Sequence, residues 1–325
     1  MRIPPPNSLI SAQFTQNITD LRQSISQTAE EATTGRYSDL AAHLSGRVGT
    51  AMLSQKAVDD IAFQREKLSY REGRLDVTQQ SLKAVHDRAS GLDVSMRSAL
   101  GTGDLLYQGT VARDAEAALA DVFSALNVRF GERYLFAGDA TATQPLPSAE
   151  DLLTDMRAMA DAATTPGDFA TALDTYFNTP GGGWQQTIYQ GTPGSSDPDA
   201  VTAADPALTE LISGLAILAI SNPVNSPALI AQNPDITDLA AARITSGLSS
   251  VTNVRADRGV MQEQLQVQKE ALDVEETIFT NAFNALTARD QYEAASALKD
   301  LEAALEASYL LTSRLSSLSL LNFLR

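Results

Sequence analysis

AVDDIAFQREKLSYREGRLDVTQQSLKAVHDRASGLDVSMRSA, residues 57–99, decides the fold. Within it Ala57, Ile61, Gln64, Leu68, Arg71, Leu75, Thr78, Leu82, Val85, Ala89, Leu92, Met96 and Ala99 follow one another in alternating steps of four and three. That spacing puts one stripe on one side of a helix, to be buried against a second helix. Gln64 and Arg71 are the polar exceptions in the stripe. A continuous helix over residues 50–99 would be roughly 75 Å long. A helix of that length needs a partner along it.

Matching stripes lie on either side. Phe14, Ile18, Leu21, Ile25, Thr28 and Ala32 repeat the spacing before it. Val254, Met261, Leu265, Leu272, Phe279, Ala282 and Leu286 repeat it near the other end. After ARDQ (288–291) a further stripe runs through Leu298, Leu301, Leu305 and Tyr309 into RLSSLSLLNFLR (314–325). That last stretch carries Leu315, Leu318, Leu320, Leu321, Phe323 and Leu324, with serines interleaved. The pattern predicts N-terminal and C-terminal arms folded back on one another, against the alternative of an ordinary globular helix bundle.

Proline marks the division between arms and middle. Ten of the 13 prolines lie between Pro145 and Pro234, and residues 7–144 and 235–325 have none. Proline removes a helix donor and clashes with the preceding turn. The expected organisation is therefore an N-terminal helical arm over 1–140, a turn-rich middle over 141–240 and a C-terminal arm over 241–325 packing on the N-terminal arm. The fold class is mainly α: long paired terminal helices forming a coiled-coil-like rod, with a small mixed α/β or mostly helical middle domain. In that middle, AEDLLTDMRAMADAA (149–163) and DPALTELISGLAILAI (205–220) read as helices with acidic residues near their starts. WQQTIYQ (184–190), between Gly/Pro clusters, reads as a short strand.

Composition excludes several function classes. The 325 residues are 43% hydrophobic and 20% charged, enough apolar area for a packed core. A net charge of −16 opposes binding to phosphate backbones or anionic membranes. There is no cysteine, which removes disulfides, thiolate chemistry and Cys-ligated metals. No apolar run reaches the roughly 18 residues of a membrane span. The opening MRIPPPNSLISAQF lacks the apolar core of a Sec signal, so departure from the cell would need another route.

A search for catalytic chemistry yields little. His43 and His86 lie on different helices and in no HExxH pattern. His86, beside Val85 on a helix flank, reads as solvated. GTGD (101–104) reads as a helix C-cap and turn, and neither it nor GGG (181–183) is followed by the Lys-Ser or Lys-Thr of a phosphate loop. Asp197 and Asp199 of SSDPD offer oxygen ligands but lack the glycine and distal glutamate of an EF-hand, so the stretch reads as a solvated loop. No cofactor, metal or catalytic constellation is expected, and the chain reads as a non-enzyme.

Four short stretches resemble the flagellin family. ATTGRYSDL (32–40) resembles the segment after that family's first stripe, with Gly35 and Arg36 on its glycine and basic positions. GERYLFAGDATATQP (131–145) resembles the stretch closing the family's N-terminal helical region, with Gly131, Tyr134, Phe136, Ala137 and Gly138 in place. Asp139 stands where Thr or Ser is commoner. IYQGTPG (188–194) resembles a Y-x-G-D turn, with Thr192 replacing the acid. SLLNFL (319–324) resembles the family's C-terminal signature. The likeness covers residues 7–144 and 245–325.

The resemblance implies a structural subunit of the bacterial flagellum, exported through a type III route and located outside the cell. The opening MRI, the short middle and the Y-x-G turn lean towards a subunit joining hook-side proteins to the filament. A filament flagellin is the alternative, and a soluble coiled-coil adaptor the second. The implied partners are other copies of the chain, flagellin, a hook-side junction protein and an export chaperone, with no nucleic acid and no membrane. The implied assembly interface is the terminal helices: Phe14, Ile18, Leu21, Ile25, Leu298, Leu301, Leu305, Leu315, Leu318, Leu320, Leu321, Phe323 and Leu324. Residues 7–35 and 300–325 are expected to be disordered or chaperone-held before assembly.

Overall fold

Helices dominate the architecture, as the spacing predicts. This computed structural model describes residues 6–323, with side chains from 12 to 314. In chain order the elements are α1 (Pro6–Thr34), α2 (Leu40–Leu44), α3 (Val48–Ala89), α4 (Leu92–Thr102) and α5 (Leu105–Leu126), then β1 (Arg129–Phe130) and β2 (Arg133–Tyr134). There follow α6 (Ala149–Ala162), α7 (Pro166–Asn178), a π-helical turn (Trp184–Ile188), α8 (Pro206–Ile220), α9 (Ala228–Gln232), α10 (Asp235–Thr287) and α11 (Gln291–Phe323). The chain forms two compact units. The first holds residues 1–65 and 270–325, and the second holds 66–269. The proline-bearing middle, 141–240, falls wholly within the second.

Two expectations are corrected. The stripe of residues 57–99 is not one helix. It breaks after Ala89, where Gly91 takes φ 84° and serves as the N-cap position of α4. WQQTIYQ is not a strand, because its first five residues wind into the π-helical turn. The antiparallel strands are instead β1 and β2, paired Arg129 to Tyr134 and Phe130 to Arg133.

The second unit has a core of its own. Ile61, which lies in the first unit, aside, the buried members of the opening stripe are Leu75, Thr78, Leu82, Val85, Ala89, Met96 and Ala99. Of these, Leu82, Val85, Ala89 and Met96 join α5, α6, α7 and α8 in one hydrophobic cluster. Helix α8 is apolar on every side, and from Ala207 to Ile220 every residue but Glu210 is buried. A helix hydrophobic all round belongs at the centre of a core. Trp184, fully buried, lies 5.4 Å from the Phe177 ring and 6.3 Å from Phe123. Local signals start the helices. Ser148 caps α6, Thr165 and Asp168 form a reciprocal capping box on α7, and Asp104 accepts from the backbone N–H groups of Leu106 and Tyr107 at the head of α5. The GTGD turn is as expected, with Gly103 closing α4 in the left-handed region.

The first unit is built differently. α1 lies antiparallel to α11: Arg22 Nη2 donates to the Tyr309 hydroxyl at 2.6 Å, and at the other end Arg289 pairs with Glu31. Arg65, at the end of this unit's part of α3, pairs with Asp273 (3.1 Å) and Glu276 (2.5 Å) on α10. The expected inward position Gln64 is exposed, and Arg65 takes its place half-buried. Likewise Ala282 is exposed and Phe283 half-buried, so the inner stripe of α10 moves over by one residue there.

Candidate assembly interface

Within the first unit the stripe residues meet as the spacing requires, but they are only partly covered. Phe14, Ile18, Leu21 and Ile25 on α1 and Leu298, Leu301 and Leu305 on α11 are all half-buried. Among the described residues Thr28, Glu31 and Ala294 are the buried ones on these two helices. Tyr309, placed in the stripe by its spacing, is 42% exposed, as are its neighbours Leu310 (65%) and Leu311 (52%). The side chains of Leu315, Leu318, Leu320, Leu321, Phe323 and Leu324 lie outside the described residues.

Magnitudes show what incomplete cover means. Full burial of a Leu or Ile side chain contributes roughly 1.5–3 kcal/mol, so a side chain that is mostly but not fully covered leaves up to about 1 kcal/mol of that ungained. Ordering the same residue costs about 1–2 kcal/mol in backbone freedom and about 0.5–1 kcal/mol in the side chain. Completing the cover over several such residues would add to the stability of the pair.

The glycine motif builds the joint at the end of this pair. Gly35 takes φ 67°, a left-handed conformation that a side chain would strain. Its turn lets Arg36 bridge Ala288, with Arg289 N–H donating to the Gly35 carbonyl at 2.9 Å and Tyr37 N–H to Thr287 at 3.2 Å. Glu31 is buried, pairs with Arg289, and accepts from the Ser38 N–H (3.0 Å) and hydroxyl (3.1 Å). The Arg289 guanidinium lies over the Tyr37 ring at 5.2 Å, and Tyr37 stacks on His43 at 3.5 Å. Arg36 lies over Phe283 at 5.7 Å. The sequence pointed to Gly35 and Arg36 but missed Glu31 and Arg289. The cue was available: ARDQ interrupts the apolar stripe with a cation, and Glu31 is an acid beside the end of the other stripe, next to Ala32.

In the second unit the two other motifs interlock, although they are some 50 residues apart in sequence. Phe136, Ala137 and Gly138 are buried. Thr192 N–H donates to the Ala137 carbonyl at 3.0 Å, and the Tyr189 hydroxyl donates to the carbonyls of Thr192 (2.7 Å) and Phe136 (3.2 Å). Burial pushes the Tyr189 phenol upward. Gly138 has φ 64°, and a Cβ there would run into Thr192 and the Gly194 carbonyl. Tyr134 is half-buried on β2, with Arg129 over its ring.

The two departures from the family pattern sit against one another. Asp139 N–H donates to the Thr192 hydroxyl at 2.6 Å, while the Asp139 carboxylate accepts from the Ser196 N–H (2.8 Å) and the hydroxyls of Ser196 and Ser195. Those bonds, led by the Ser196 N–H, hold the Asp139 carboxyl below its ordinary range.

The loop read as solvated is not. Asp199 is buried, and its carboxylate takes the Nη2 of Arg71 at 2.7 Å as well as its Nε. Arg74 pairs with Asp197 at 2.5 Å, and Arg258 donates to the Pro198 carbonyl at 3.1 Å. The bond from Arg71 holds the Asp199 carboxyl below its ordinary range. Arg71 was the unexplained polar residue in the opening stripe. It interrupts the apolar surface because it is the anchor for this loop. With both carboxylates committed to arginines, Asp197 and Asp199 are not positioned as a cation site.

These features define a class: a mainly α-helical chain whose terminal helices pair and are incompletely covered. Residues 241–324 match the family described as bacterial flagellin C-terminal helical region. Among solved structures the chain is similar to Bacillus cereus FlgL, at 14% identity over 72% of this chain and 99% of that one, with a TM-score of 0.48. It is also similar to a putative flagellar hook-associated protein from Vibrio parahaemolyticus, at 12% identity over 83% of this chain and 95% of the other, with a TM-score of 0.37. No curated protein matches the chain in sequence. No described helix is long and apolar enough to cross a membrane, and no group of metal-ligating side chains occurs among the described residues.

Proposed function

We propose that this chain is a structural, non-catalytic subunit of the bacterial flagellum that joins hook-side proteins to the flagellin filament through its terminal helices. The carrying observation is the α1–α11 pair, whose seven apolar stripe residues from Phe14 to Ile25 and Leu298 to Leu305 are mostly but none of them fully covered. Apolar helical surface left open in this way marks an interface. Neighbouring copies, flagellin and a hook-side junction protein supply the missing cover. Contacts that join unlike surfaces without closing build tubes. The short middle and the Y-x-G turn favour the junction over filament flagellin. The expectation that both ends fold only on assembly becomes, on this geometry, that of a weakly held helix pair, which an export chaperone could grip before assembly outside the cell.

Electron microscopy of cells with the gene deleted tests the reading. Hooks without filaments, and flagellin released into the medium, are expected. Normal filaments would overturn it, and an intact junction lacking only filament would favour filament flagellin.

A further inference from the structure

The β1–β2 hairpin is not used by the account above, yet it is chemically distinctive in a chain of net charge −16. Arg129 and Arg133 are exposed, and neither forms an ion pair among the described residues. The charge of Arg133 reaches Asp139 and contributes to its lowered carboxyl. Arg129 lies over the Tyr134 ring at 5.0 Å and donates to the Glu132 carbonyl oxygen at 3.0 Å. Tyr70, 52% exposed, packs edge-on against Phe130 at 5.1 Å. With exposed Glu132 counted, the hairpin still presents one net positive charge beside aromatic rings.

The first unit presents the complementary surface. On α10, Ala271, Val274, Ile278, Ala282 and Ala285 follow steps of three and four, and all five are exposed. Val274 and Ile278 are each about 60% open. The inner stripe of Leu272, Phe279 and Leu286 is half-buried, so this segment carries a second, uncovered stripe. Glu275, exposed and without an ion pair among the described residues, stands at its edge. A stripe in steps of three and four suits an elongated apolar partner rather than a small molecule.

We propose that the hairpin of one copy docks on the Ala271–Ala285 stripe of a second copy, Arg129 and Arg133 meeting Glu275 while Tyr70 and Tyr134 cover Val274 and Ile278. Like patches repel, arginine from arginine and glutamate from glutamate. Opposite patches attract, so charge selects the heterologous contact. Such a contact leaves a free hairpin at one end and a free stripe at the other, and it propagates. The inference rests on the reading of the chain as a tube subunit and adds the surfaces by which copies meet.

The absence of native cysteine permits a direct test. Glu132→Cys and Ile278→Cys chains are co-expressed in cells lacking the native gene, and the surface appendages are oxidised and run without reductant. The mixture is expected to give about tenfold more disulfide-linked dimer than either variant alone, the ratio that a preference of about 1.4 kcal/mol produces. Dimers formed equally well by Ile278→Cys alone, or assembled junctions with no mixed dimer, would overturn the proposal. Charge exchange tests it without cysteine. Arg129→Glu should lower assembled protein about tenfold, and Glu275→Arg in the same chain should restore it. Loss without restoration would contradict the pairing. Normal filaments in the deletion strain would instead refute the flagellar reading, so the two failures are distinguishable.

Discussion

Helices α8 and α1 are both apolar-striped, and they meet opposite fates. α8 is enclosed on all sides by its own unit, with Leu211, Ile212, Leu215, Ala216 and Ile217 fully buried. α1 packs along α11, and its stripe stays partly open. The second unit is finished within one chain. The first unit is a set of paired helices whose packing, on the proposed function, neighbouring subunits complete. Burial, rather than hydrophobic content, separates a core from an interface.

Aspartate substitutions break this comparison with the largest effects. Leu215→Asp buries an unpaired carboxylate and should abolish cooperative unfolding of the second unit, a loss above about 4 kcal/mol. Leu21→Asp or Leu301→Asp should shift the thermal transition of the free chain by the equivalent of less than about 1 kcal/mol while eliminating assembly, seen by electron microscopy. Equal destabilisation by the two kinds of variant would erase the distinction.

A smaller effect is expected at the anchored loop of the second unit. Asp199→Asn removes the buried partner of Arg71 and should cost about 2–3 kcal/mol in denaturant titrations. The pH dependence follows from the lowered Asp199 carboxyl. Because its folded value lies below the unfolded one of about 4, its contribution is present above pH ~4 and is lost as pH falls through the folded value. The wild-type chain should lose stability across that acidic window, and the Asn variant should show a flatter slope there. The smallest effect belongs to a cap. Thr165→Ala removes the side-chain half of the α7 capping box and should cost about 1 kcal/mol, read as a lowered thermal midpoint without loss of assembly.

Much of this was legible in sequence. Steps of three and four located the paired helices because burial on one helical side leaves that period in the residues. The ten central prolines all lie within the second unit, but they do not mark its limits at residues 66 and 269. Gly35 and Gly138 were singled out by resemblance, and their positive φ values supply the physical reason. What could not be read was long-range pairing. Nothing local in SSDPD says that Asp199 meets Arg71, 128 residues away. WQQTIYQ has the composition of a strand, yet Trp184 is drawn into the cluster with Phe123 and Phe177, and the segment winds to reach it. The helix break at Gly91 was visible as a glycine, but a regular stripe continuing through it concealed the interruption.

Hydrogen exchange, followed residue by residue in the free chain and in assembled junctions, tests the central claim most directly. The account predicts that in the free chain the amides of α1 and α11 exchange far faster than those of α8, and that assembly slows α1 and α11 while leaving α8 unchanged. Equal protection of α1, α11 and α8 in the free chain would show that the terminal helices are complete on their own, and would contradict it.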